Sequence, residues 1–302
     1  MKGFVANTDQ EWFERLRGGR ARDEACFWRA GGEAFRALKP GEPFFFKLKA
    51  PYNAVAGFAR FSHYTQVPCS AAWSLFGDAT GMSSLAEMLD RLQRLRSRSG
   101  IRDGERTDYP AGCILLGEPV FFDEIDWIAM PADFVPRVGQ GKSYSVERGE
   151  GREIFDSCLA LARAMRRDAA GAAPGYDALV ASPRLGPLSF SAAVLDAYDR
   201  RCAVTGESVV SALAAARIRV LPDVPGYSVP NGLLLRADLA RLFEAGYVTV
   251  TTEHFLRVSP ALARSSHAYA ILDGVPVRFP RKTKHRPLVE ALWWHEETRF
   301  LG

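Results

Sequence analysis

Apolar positions along this chain recur with two periods, and each change of period marks an element. After Thr8, Trp12, Phe13 and Leu16 are spaced by three and four. That spacing predicts a short capped helix over residues 9–16, ended by Gly18 and Gly19. Pro40-Gly-Glu-Pro43 introduces Phe44-Phe-Phe-Lys-Leu-Lys49, which predicts a strand with one face against a core. Residues 53–64 predict a second strand, with Val55 and Phe61 on one face and Phe58 on the other. Gly57 within it suggests a bulge or a close backbone approach. Leu85, Met88, Leu89, Leu92 and Leu95 form a helical stripe over residues 84–96, with Arg91, Arg94 and Arg96 outside it. Residues 111–116 and 119–122 read as two more strands.

The second half is more helical. Ile154, Cys158, Leu161 and Met165 stripe a helix over residues 150–167. Arg163, Arg166 and Arg167 near its end suit a helix C-terminus. Small residues at 169–175 and a turn-rich 182–187 read as a linker. Phe190, Val194, Leu195 and Tyr198 share one face of a helix over 189–201. A strand at 213–220, a loop at 222–230, a helix from about Leu235 to Ala245 and a hairpin of 247–251 with 255–258 follow. Residues 265–272 and 275–280 suggest a short hairpin around Asp273-Gly274. A closing helix over 288–300 would dock through Leu292, Trp293 and Phe300.

Composition narrows the classes. At 302 residues the chain has length for about two domains. It is 47% hydrophobic and 25% charged, as soluble globular proteins are. A net charge of +4 is compatible with nucleic acid and does not require it. No apolar run approaches the roughly 18 residues of a membrane span, and no leader-like core opens the chain, so a cytoplasmic home without membrane partners is expected. The five cysteines show no Cys-x-x-Cys spacing, which points to buried thiols. The basic run Arg281-Lys-Thr-Lys-His-Arg286 reads as a solvated loop or a backbone-contact stretch.

Three pieces in order carry a resemblance: Arg201-Cys-Ala-Val-Thr-Gly206, Leu213-Ala-Ala-Ala-Arg-Ile218, and the run from Asn231 to Phe243. Together they resemble the ββα-metal fold of the HNH endonucleases. The resemblance implies that a strand presents a general-base histidine where this chain has Arg217. It implies a metal-ligating histidine on the helix where this chain has Ala240, and often a glutamate where it has Ala214. Asn231 alone of the naming set stands. A guanidinium stays protonated and repels a cation, and a methyl ligates nothing. The site therefore reads as degenerate, needing no cofactor; if active, it would use Mg, Mn or Ni. Asp238 and Glu244 could then offer oxygens to a hard cation, and His254 and His267 could fold back. Arg217, Arg219, Arg236 and Arg241 would line the old cleft as phosphate contacts.

In the first half, Trp28, the Pro40-Gly-Glu-Pro43 turn before Lys47, the Gly57 strand and the Ala72-Trp-Ser-Leu-Phe-Gly77 block resemble the PUA-like superfamily of EVE, ASCH and SRA-type modules. That resemblance implies a pocket for a modified base turned out of its stack, with Trp28, Tyr52, Tyr64 and Trp73 as walls and Lys47 and Lys49 near phosphate. The expected architecture is α+β: a PUA-like β-barrel with helices (1–145), a helix and linker (146–188), and an HNH-like ββα domain (189–302). Three functions stay open: a DNA reader or regulator with an inert nuclease site, an active modification-dependent restriction endonuclease, and a scaffold for protein or RNA. The expected partner of the first two is double-stranded DNA, plain or modified, and the pairing of two strands suggests a homodimer.

Overall fold

Three consecutive phenylalanines cannot all point the same way along a strand, so a sheet holding residues 44–46 needs cover on both faces. The computed structural model shows how the chain supplies it. It describes residues 1–19, 23–30, 33–98, 100, 108–135, 140–168, 185–220 and 226–302. The chain divides into two units, Met1–Ser189 and Phe190–Gly302.

The first unit contains β1 (Lys2–Thr8), α1 (Gln10–Gly18), β2 (Glu24–Arg29), β3 (Pro43–Leu48), β4 (Ala54–Pro68), α2 (Cys69–Phe76), α3 (Leu85–Arg98), β5 (Pro110–Phe121), β6 (Ile128–Ala129), β7 (Gly141–Ser145) and α4 (Gly149–Asp168). Its strands form one mixed sheet in the order β2-β5-β4-β3-β1-β7, with β6 on β4. β1 and β3 are parallel and the other pairs antiparallel. Among the described residues no pairing joins β2 to β7, so the sheet is open where a barrel was expected.

All six residues of β3 are buried, because both faces are covered. Phe45 faces a cluster that includes Val5, Val55, Phe58, Phe122 and, from α4, Ile154, Phe155, Cys158 and Ala162. Phe44 and Phe46 face the opposite way, among Phe27 at 5.0 Å and Trp12 at 5.4 Å between ring centroids. The expectation of one covered face is thus corrected. So is the assignment of Val55 and Phe58 to opposite faces, since both join the Phe45 cluster. The register slips between Phe46 and Lys47 opposite this stretch, and an extra residue in a strand reverses side-chain parity. Gly57 marks the slip: a Cβ there would lie 2.3 Å from the Val120 carbonyl oxygen.

Other boundaries moved for similar reasons. Residues 111–116 and 119–122 form one strand, β5, which passes through Glu118 at φ 51° instead of breaking. On α4 the buried face runs through Ile154, Phe155, Cys158 and Ala162, while Met165 is exposed. Arg96, placed outside the α3 stripe, is 6% exposed and donates to the Ala30 carbonyl. The linker at 169–175 and residues 182–184 of the turn-rich stretch lie outside the described residues.

The second unit contains most of α5 (Pro187–Ala197), then β8 (Leu213–Arg217), β9 (Gly232–Arg236), α6 (Ala237–Glu244), β10 (Val248–Val250), β11 (Leu256–Val258), α7 (Pro260–Ser265), α8 (His267–Ala270) and α9 (Val289–Thr298). β8 and β9 pair antiparallel, Ala215 opposite Leu234, and α6 follows directly. This is a ββα unit. The predicted helix from Leu235 begins two residues later, because Leu233, Leu234 and Leu235 are all buried as a strand first. His267–Ala270 form a short helix followed by a turn, correcting the second expected hairpin. Trp293 is 58% exposed and does not dock. The five cysteines are buried and free. Among the described residues no helix is long and apolar enough to cross a membrane.

Candidate functional site

Two places carry the residues singled out above, one in each unit.

In the first unit, β1, β2, α1 and α3 enclose a cavity of about 290 Å³. Its apolar lining includes Phe4, Trp12, Phe27 and Trp28, and its polar lining includes Asn7, Asp9, Lys49, Arg91 and Gln140. The Trp28 indole is fixed by a 2.9 Å bond from Nε1 to the Thr80 carbonyl, and Trp12 donates at 3.3 Å to the Cys26 carbonyl. Asp9 caps α1, accepting from the Glu11 amide at 3.1 Å. It also pairs with Arg91, and Lys49 Nζ lies 3.7 Å away. Burial pushes the Asp9 carboxyl up, but Arg91 and Lys49 outweigh it and hold it below its ordinary range. The slot thus presents indole and phenyl walls with an ionised acceptor and two side-chain amides at the polar end. That combination suits a planar heteroaromatic ring with a hydrogen-bonding edge.

Trp28 and Lys49 are therefore brought together, while the other expected walls stand elsewhere. Tyr52 accepts from Gln10 Nε2 at 2.9 Å and meets Trp127 edge-on at 5.1 Å. Tyr64 donates to the Glu33 carbonyl at 3.1 Å and covers Gly112. Trp73 lies half-buried on α2. Lys47, expected near phosphate, is 5% exposed: its ammonium bonds Asn53 Oδ1 at 2.9 Å and lies over Phe134, and burial lowers its pKa. Sequence reading missed Trp12, Asp9 and Arg91. Asp9 was readable as a helix cap, but its approach to Arg91, 82 positions away, was not.

In the second unit the three diagnostic positions lie on or beside the ββα element. Arg217 ends β8 and lays its guanidinium over the Tyr227 ring at 4.8 Å. Asn231 spends its amide on the loop. Its Oδ1 accepts from the Arg219 amide at 2.9 Å, and its Nδ2 donates to the Arg219 carbonyl at 2.8 Å and the Gly226 carbonyl at 2.9 Å. Ala240 is a buried methyl on α6, 4% exposed. Arg236 forms a bidentate pair with Asp238, at 2.7 and 2.6 Å, and Tyr269 donates to the same carboxylate at 3.0 Å. The Arg236 guanidinium, ahead of the Tyr269 hydroxyl, holds Asp238 at about 2. Arg236 is thus paired with a carboxylate, and Asp238 with Arg236. Glu244 is exposed six residues further along α6, on another face. His254 and His267 are exposed on the surface. Among the described residues no three His, Cys, Asp or Glu side chains gather as a metal site. Arg241 is exposed and Arg219 half-exposed.

No protein-family profile and no curated protein matches the sequence. Among solved structures, the chain is similar to ASCH from Zymomonas mobilis at 17% identity and a TM-score of 0.34, over 51% of this chain and 94% of that one. It is also similar to the modification-dependent TagI restriction endonuclease at 12% identity and a TM-score of 0.34, over 99% of this chain and 81% of that one.

Proposed function

We propose that this chain grips double-stranded DNA without cutting it, and acts as a reader or regulator. The observation that carries the reading is the chemistry of three positions. Arg217 is a permanent cation stacked on Tyr227, Asn231 is an amide consumed by a loop, and Ala240 is a buried methyl. Hydrolysis of a phosphodiester needs a base to take a proton from water and a centre for the charge that develops on phosphate. A guanidinium can serve the second need as a phosphate clamp but cannot serve the first. The same residues that remove the chemistry leave a positive edge, Arg217 with exposed Arg241, suited to backbone phosphate. The aromatic slot of the first unit, bounded by Trp12 and Trp28, would receive a modified base turned out of the duplex.

Incubation of the full chain with plain and modified plasmid, in Mg, Mn or Ni ions, should give no nicking. Electrophoretic shifts with the same duplexes should give retention, stronger on the modified one. Nicking that a chelator stops overturns the reading, as does failure to retain either duplex.

A further inference from the structure

The groove on the second unit formed by Arg219, Thr252, Val289, Glu290, Trp293 and Trp294 encloses about 340 Å³ and is almost wholly apolar. It shares Arg219 with the ββα region described above and is otherwise built from other residues. α9 builds it. Ala291, Leu292 and His295 face inward, which leaves Val289 and Trp293, four apart, on the outer face at 53% and 58% exposure. An indole so exposed has no packing reason to be there. Trp294 forms an inner wall, and the Arg219 guanidinium lies over its ring at 6.0 Å. Arg219 is held by its backbone, because Asn231 bonds both its amide and its carbonyl. Arg219 itself is half-exposed and lines the groove, so its positive charge stands at the groove wall.

The approach to α9 is basic. Arg281, Lys282, Lys284 and Arg286 are exposed on the segment leading into the helix, and the turn Thr283–His285 packs against Val229–Asn231. Arg281 is shared with Asp199 at 3.5 Å and Arg286 Nε bonds the Pro280 carbonyl at 3.0 Å, leaving the two lysines as the more available cations. Glu290 is the groove's own carboxylate, an acceptor for a base N–H such as the N3–H of thymine.

The geometry points to a single-stranded nucleic-acid site: an unpaired base stacks on Trp293 within the groove, and the flanking phosphates follow Lys282 and Lys284. Charge complementarity selects this occupant. An apolar peptide would use the indole but gain nothing from Arg219 in the lining or from the exposed lysines on the segment leading into α9, whereas a nucleotide strand presents a π-face and an anionic backbone at alternate positions. This inference does not rest on the duplex reading above.

The test is fluorescence anisotropy of a labelled oligothymidylate against the full chain across a salt series. Trp293→Ala should weaken binding roughly 5- to 150-fold, the range for loss of one base–aromatic stack, with the salt slope unchanged. Trp293→Phe should restore most of it. Lys282→Ala with Lys284→Ala should lower the slope by about 0.7 for each phosphate no longer neutralised. Because Trp293 is exposed, circular dichroism should show all variants folded. Wild-type affinity retained by Trp293→Ala, or no wild-type binding at low salt, overturns the assignment. The first of these would return the groove to a protein partner. Loss of oligonucleotide binding with duplex retention intact would overturn this site and leave the duplex reading standing.

Discussion

At the scale of single residues, Asn231 is the clearest case of a residue singled out for chemistry that instead holds structure. Its amide makes three hydrogen bonds to the Arg219 and Gly226 backbone, and its residue surface is 8% exposed. Asn231→Ala leaves those three backbone groups without their partners. Each net hydrogen bond is worth about 1 kcal/mol, and orphaning a buried partner costs more. The variant should lose about 2–4 kcal/mol in urea unfolding. Asn231→Asp should recover little, since a carboxylate still accepts from Arg219 but cannot donate to either carbonyl. A midpoint unmoved in both variants would show that the loop holds itself.

At the scale of elements, α9 is held to α6 and β10 through one imidazole. His295 is 2% exposed, stacks on Phe243 at 3.7 Å, and lies 2.8 Å from Thr249 Oγ1 through Nδ1 and 3.1 Å from the Phe243 carbonyl through Nε2. The carbonyl requires a donor, so Nε2 carries the proton and Nδ1 accepts from the Thr249 hydroxyl. Burial lowers the pKa to about 4. The unfolded imidazole titrates near 6.5, so between those values the unfolded state binds the extra proton. Stability is complete above about pH 6.5 and declines as pH falls toward about 4, by about 3 kcal/mol. His295→Gln should flatten that dependence in chemical unfolding from pH 7 to pH 4.5. An unchanged slope would place the acid sensitivity elsewhere.

The elements also show what a sequence can and cannot reveal. α1 was legible because Asp9, Trp12, Phe13 and Leu16 encode cap and buried face locally. β8 and α6 were legible, but β9 between them was not, because its run Leu233–Leu235 reads equally as the start of the helix that follows. β1 and β2 were not read as strands, because each is buried by partners far away in sequence and carries no isolated alternation. The parity of β4 was misread because a bulge depends on the strand opposite. Lys47 looked like a surface cation because nothing in its neighbourhood in the chain announces Asn53 and Phe134 as its cage.

At the scale of the whole molecule, the question is how a net charge of +4 can support DNA binding. Much of the positive charge is already spent: Arg15 on Glu87, Arg91 on Asp9 and Glu11, Arg236 on Asp238, Arg257 on Glu296. On the proposed reading, binding comes from placement, through few phosphates. With about three phosphates neutralised, by Arg217, Arg219 and Arg241, affinity for a plain duplex should fall roughly 40-fold between about 50 and about 200 mM salt. A protein that gripped through its total charge would fall far more steeply. Arg217→Ala and Arg241→Ala should each lower the slope by about 0.9, whereas Lys47→Met should leave it unchanged, because that ammonium is enclosed. Anisotropy of a labelled duplex over a salt series measures all four slopes. A wild-type slope near zero would remove phosphate contact from the account, and a drop in slope for Lys47→Met would show that the enclosed ammonium opens to the duplex.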